Sequence, residues 1–176
     1  MYRKWLAIGI ILLFVGTCII PAIAQDAEKP LPTSRGNCLY VGGSGPGNYT
    51  TIQDAINDSI TGDTVFVYAG IYYEKLGWGG SLSLIGENRN TTIIDGNRTG
   101  IVISMWNSTI SGFTIQNGGR GIWCWSSKIT NNRIRWNDIG IAMSEMSGHN
   151  VIKDNNIESN NWGIANIQEK NTMGGK

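Results

Sequence analysis

The chain has 176 residues, with 14 Lys and Arg against 13 Asp and Glu and a formal net charge of +1. A near-neutral balance without a basic stripe excludes nucleic acid as the expected partner. With 24 Gly and only 15% charged residues, the composition points away from long amphipathic helices and toward short strands and tight turns, in a length that suits one domain.

The chain opens with Arg3 and Lys4, an apolar run over 5–20, and Ala22-Ile23-Ala24 before Gln25. This is the pattern of a signal peptide over 1–24, with a retained anchor or lipidation at Cys18 as the alternatives. Cleavage would remove two basic residues and no acidic one, turning the net charge from +1 to −1. Residues 25–37, with Pro30 and Pro32, read as a flexible leader, and 38–176 as the folded domain. A first strand is expected over 38–41, then a GGSGPGN loop. Thr50 followed by Gln53 has the spacing of a capping box, so a short helix is expected at about 51–59. Its Ile52, Ala55 and Ile56 share one face and would cover the open first turn of the strand-rich region after it. Strands are expected over 64–68, 71–74, 81–85 and 91–95, from their β-branched and alternating composition.

From there the chain repeats itself. Residues 109–123, 128–142 and 151–165 share an Ile-x4-Ile-x5-Gly-Ile grammar. The aligned columns are Ile110/Ile129/Ile152, Ile115/Ile134/Ile157, Gly121/Gly140/Gly163 and Ile122/Ile141/Ile164, with Ile94, Gly100 and Ile101 as a looser upstream copy. A period of about 20 residues built of short β-type runs predicts a parallel β-helix, with regular rungs over about 91–167. The Ile columns would point inward and stack at about 4.8 Å, each buried Ile contributing roughly 1.5–3 kcal/mol. The Gly before the third Ile suggests a bend with positive φ. Asn132/Asn155 and Asn97/Asn137/Asn160 suggest turn columns in left-handed conformation.

Residues 49–76 and 81–96, followed by these rungs, are similar to pectin-lyase-like right-handed β-helix proteins. They resemble in particular the parallel β-helix repeats of NosD-like and archaeal cell-surface proteins. The resemblance covers about residues 38–167 and implies an all-β, single-stranded right-handed parallel β-helix (solenoid) with a short N-terminal capping helix. It implies a secreted or cell-surface location, periplasmic in a two-membrane bacterium. This fold hosts many activities. The reading taken is a non-catalytic structural or binding module that contacts a polysaccharide or another surface protein. A partial or degraded polysaccharide lyase or hydrolase, with calcium, and a NosD-like copper-handling accessory protein are the alternatives.

The candidate contact residues are Trp123 and Trp125, which flank an inward Cys124 and so should both face outward, with Arg135 adding hydrogen bonds. Exposed indoles suit sugar stacking, a covering loop or a second subunit. Arg135 is also expected to pair with Glu158 of the next rung. Met143, Met146 and His149 form a soft donor set suited to copper; otherwise Met143 fills the core column of Ile103 and Cys124. No catalytic residue is assigned: Asp95, Asp138, Asp154 and Glu158 are scattered, and Gly148-His149 is followed by Asn150 where a hydrolase motif has Gly. Cys38 and Cys124 are read as two separate thiols rather than a pair. Sequons occur at Asn48, Asn57, Asn90, Asn97 and Asn107. The sequence ends in NTMGGK without a visible cap, which suggests either a piece of a longer protein or self-association through the last rung.

Overall fold

The computed structural model describes residues 37–144 and 149–167. The signal peptide expected over 1–24 and nearly all of the expected leader, with Met146 and the NTMGGK end, lie outside the described residues. The elements in chain order are β1 (Cys38–Val41), α1 (Ile52–Asp58), β2 (Thr64–Val67), β3 (Gly70–Tyr72), β4 (Leu76–Gly79), β5 (Ser83–Gly86), β6 (Thr92–Asp95) and β7 (Ile101–Trp106). They continue with β8 (Thr109–Ser111), β9 (Thr114–Gln116), β10 (Arg120–Trp125), β11 (Lys128–Thr130), β12 (Arg133–Arg135), β13 (Ile139–Ser144), β14 (Val151–Lys153), β15 (Asn156–Glu158) and β16 (Trp162–Ile167).

From β2 onward, every third strand joins the same sheet. Sheet A runs β1-β2-β5-β8-β11-β14, sheet B β3-β6-β9-β12-β15, and sheet C β4-β7-β10-β13-β16. The pairing is parallel throughout, so the expected parallel β-helix is the fold. Three inward columns run through the core: Val65–Leu84–Ile110–Ile129–Ile152, Tyr72–Ile94–Ile115–Ile134–Ile157, and Leu76–Ile103–Ile122–Ile141–Ile164. The rungs therefore begin at Thr64, well before the expected 91. Val, Leu and Tyr replace Ile in the columns of the early turns, which hides them from a search for repeated Ile.

The upstream copy is two residues out of register. Ile103, not Ile101, pairs with Ile122, while Ile101 pairs with Arg120. The cause is a longer corner: five residues separate Asp95 from Ile101, against three between their partners Gln116 and Arg120. Gly100, at φ 63, belongs to this longer corner and is not the equivalent of Gly121.

The corners correct two further expectations. Asn132, Asn137, Asn155 and Asn160 are not the left-handed residues; the residue before each is, with Asn131, Trp136, Asp154 and Ser159 at φ 56, 56, 58 and 54. That turn swings the following Asn side chain inward to bridge backbones of successive rungs. Asn132 Oδ1 accepts from Phe113 N–H at 3.1 Å, and Asn155 Oδ1 from Asn132 N–H at 2.9 Å. Asn137 Oδ1 accepts from Gly118 N–H at 2.9 Å, and Asn160 Oδ1 from Asn137 N–H at 3.0 Å. The third corner does the same with Ser127 Oγ and Asn150 Oδ1, which accept from Ser108 and Ser127 N–H. Sharp corners leave backbone N–H groups that no strand can pair, and buried donors must find acceptors. Gly121 and Gly140 have no positive φ; they are Gly because a Cβ would meet the facing carbonyl oxygen at 2.6 Å and the corner Asn amide at 2.9–3.0 Å.

Helix α1 covers the first turn, as expected, with Ile52, Ala55 and Ile56 buried. Its N-cap is Thr51 rather than Thr50, with Oγ1 accepting from Asp54 N–H at 3.3 Å. Gln53 is not a capping-box partner: its amide bonds both backbone groups of Gly77 on the open edge of β4. Glu74 takes over at the helix start, accepting from Ile52 and Gln53 N–H at 2.9 and 3.0 Å.

Candidate functional site

The outer face of sheet C is built by alternation. In β10 the side chain of Cys124 points in and those of Trp123 and Trp125 point out. Register places Trp125 beside Trp106 of β7, and beyond it Gly79 of β4. The two indoles stack, with centroids 5.0 Å apart and planes 4° from parallel. Gly79 leaves the space this needs, since a Cβ there would fall inside the Trp106 ring. Trp106 is 40% exposed. Trp123 stands in the neighbouring outward column with Ser104 and Ala142. Arg120 lies over its ring at 5.2 Å, within cation–π range. Its Nε1 is enclosed and has no acceptor among the described residues. Sequence reasoning missed Trp106, although it lies 19 residues from Trp125; the misplaced register of the upstream copy hid it.

Arg135 does not join this surface. It lies on β12 of sheet B, a different wall of the solenoid. Its Nε donates to Gln116 Oε1 at 3.1 Å, and its guanidinium carbon sits 3.8 Å from the Trp136 ring centroid. Arg135 and Glu158 are register partners as expected, yet the ion pair is Arg133 to Glu158, at 2.5 Å from Nη2. Arg135 is drawn back to Gln116 and Trp136, and Arg133 reaches Glu158 diagonally. That hydrogen bond holds the Glu158 carboxyl below its ordinary pKa.

Two of the three copper candidates, Met143 and His149, lie on opposite sides of the wall, and Met146 is outside the described residues. Met143 shares an inward column with Met105 and Cys124, not with Ile103, and packs on the core. His149 is exposed and lines an outer groove with Asn107, Ser126 and Lys128. Burial pushes the Cys124 thiol up to about 12, so it is no thiolate ligand at neutral pH. Among the described residues no group of three His, Cys, Asp or Glu could hold a metal ion. Among the described residues, then, no carboxylate cluster fits calcium, and Met143 and His149, the described part of the copper set, do not converge. Cys38 and Cys124 are both free thiols. Of the sequon residues, Asn48 is half-buried and donates to Gly42 O at 2.6 Å, while Asn57, Asn90, Asn97 and Asn107 are exposed.

Residues 81–161 match the family model described as "Periplasmic copper-binding protein (NosD)". No curated protein and no solved structure matches the chain. Among the described residues no helix is long and apolar enough to cross a membrane. With the matched stretch running through successive parallel turns of one solenoid, the chain is a NosD-like parallel β-helix protein.

Proposed function

We propose that this protein is an exported, non-catalytic display module whose rigid β-helix presents the outer face of sheet C to a polysaccharide. The observation that carries the reading is the Trp106–Trp125 stack beside Trp123. Large indoles left in contact with water are costly unless something covers them. The C–H faces of pyranose rings cover aromatic surface well, and the indole N–H can donate to hydroxyls. The spacing of the rungs sets the indoles along the solenoid axis, which suits a chain of sugars more than a single one. Export accords with the signal-peptide pattern of 1–24 and with the periplasmic description of the matched family. Asp95 and Glu158 are engaged in structural hydrogen bonds, which favours display over acid–base chemistry.

The test is retention on immobilised polysaccharides and a glycan array, with the protein and the double variant W106A/W125A. The protein should be retained on at least one polymer, and the double variant should lose at least about tenfold in affinity with an unchanged circular dichroism spectrum. Equal retention of both proteins, or retention of neither, rejects the proposal.

A further inference from the structure

A second surface departs from the repeat at the corner between sheets B and C. There Arg98, Asn117, Gly118, Trp136 and Asp138 line an open cleft of about 510 Å³, within the size range of small-molecule sites. We propose that this cleft is a binding site for a neutral pyranose, separate from the sheet C platform.

Three observations carry it. First, Trp136 occupies the left-handed position of its corner at φ 56, where the adjacent rungs have Asn117 and Ser159. A bulky side chain is strained there, and such strain concentrates at functional sites. Burial does not compensate it: Trp136 is 51% exposed, with the Arg135 guanidinium at 3.8 Å fixing the ring. Second, the corner that carries two extra residues lies two rungs before that of Trp136, next to the Asn117 corner, and its Arg98 lines the same cleft. Arg98 is itself left-handed at φ 62 and is anchored by donating its N–H to Asn117 O at 2.6 Å. Third, the polar groups are held with hydrogen-bonding capacity to spare. Asn117 Nδ2 is committed to Asp95 at 2.7 Å, which leaves its Oδ1 to accept. Asp138 Oδ1 is engaged by Asn161 at 3.1 Å, which leaves Oδ2. No hydrogen bond or ion pair engages the Arg98 guanidinium among the described residues.

An aromatic wall beside a carboxylate, an amide oxygen and a guanidinium matches a ring with an apolar C–H face and vicinal hydroxyls on its rim. Asp138 at the cleft and Asp95 behind Asn117 are balanced by Arg98 and by Arg135, whose guanidinium lies on the Trp136 ring, so the site carries no net charge and suits a neutral ring.

Isothermal titration of the full chain with methyl β-D-glucopyranoside, methyl β-D-galactopyranoside and methyl α-D-mannopyranoside tests this, with D-glucuronate as the charged control. At least one neutral glycoside should bind in the millimolar range or tighter, and glucuronate should gain nothing from its charge and bind no more tightly. Trp136→Asn and Asp138→Asn should each lower that affinity at least tenfold. Trp136→Asn should also melt at a higher temperature than the parent, because Asn117 shows that Asn fits this conformation. The site is refuted if no neutral glycoside binds, if glucuronate binds more tightly than the neutral glycosides, or if Trp136→Asn keeps its affinity.

Discussion

The corner ladders make a quantitative claim that Asn132→Ala tests. The Asn132 side chain accepts from Phe113 N–H and donates to the carbonyls of Ile110 and Thr130 and to Asn155 Oδ1, at 3.0–3.2 Å. Both Asn132 and Phe113 are fully buried, so water cannot replace what alanine removes. The orphaned Phe113 N–H costs about 1–3 kcal/mol, and each further hydrogen bond about 0.5–1.5 kcal/mol. Some of the donated bonds go to carbonyls with a second partner, so the net loss is about 3–5 kcal/mol. At about 2–4 °C per kcal/mol for a chain of this size, the melting temperature should fall by about 6–20 °C. Asn155→Ala removes the same chemistry at a half-exposed position, where water can serve Asn132 N–H, and should cost only about 1 kcal/mol. Urea and thermal unfolding of the two variants, followed by circular dichroism, give both numbers. If Asn132→Ala costs less than about 1 kcal/mol, or if the two variants cost the same, the buried ladder is not what closes the corners.

Gly140→Ala should destabilise by about 2–3 kcal/mol, because its Cβ would meet Gly163 O at 2.6 Å and the Asn160 amide at 3.0 Å, whereas Gly163→Ala, with its nearest neighbour at 3.8 Å, should be tolerated; denaturant midpoints compare them. Cys124, with its thiol raised from 9.0 to about 12 by burial, should resist alkylation at pH 8 until the protein unfolds, while half-exposed Cys38 reacts, as peptide mapping would read. Because the folded-state pKa is the higher one, the stability Cys124 contributes is intact below pH 9 and is lost as the pH rises toward 12, a loss that Cys124→Ala should remove from an alkaline melting series. Asp95 has the opposite sign. Burial pushes its pKa up, but hydrogen bonds from Gln116, Asn97 and Asn117 and the charge of Arg98 outweigh this and hold it below 3.8. Its contribution is therefore full above pH 4 and lost as the pH falls through the lowered value, so the melting-temperature gap between the protein and Asp95→Asn should close between pH 5 and pH 2.

The fold was legible because burial writes the same residue at the same interval. Ile110, Ile129 and Ile152 repeat the same side chain in one inward column, and repetition of that kind survives without any knowledge of the structure. Where the column tolerates any apolar side chain, as at Val65, Leu84 and Tyr72, the period fades although the geometry persists. The corners misled for a different reason. Asn is the residue that most often takes left-handed φ, so its recurrence suggested that role; the structure instead uses its side chain as an inward acceptor and gives the left-handed turn to its predecessor. Of the contact residues, Trp123 and Trp125 were placed correctly by alternation within one strand. Arg135 was not joined to them, because two strands joined by a three-residue corner face different directions, and spacing along the chain does not report that. Trp136 gave no periodic signal, since its significance is a backbone conformation.

Both proposed contact surfaces are additions to a scaffold that does not rely on them. The inward columns fill the core and the Asn and Ser side chains satisfy corner N–H groups, and none of Trp106, Trp125, Trp136 or Arg98 belongs to either set. In a solenoid each turn touches only its neighbours, so an outward side chain can change without repacking distant rungs. The strained Trp136 makes the point most sharply. A residue retained for stability should be at its best in its own conformation, and Asn in the adjacent rung is better suited to φ near 57 than Trp is to φ 56. Replacing Trp136 by Asn therefore separates the two demands: a rise in melting temperature together with a loss of binding assigns the indole to a ligand, and a fall in melting temperature assigns it to the fold.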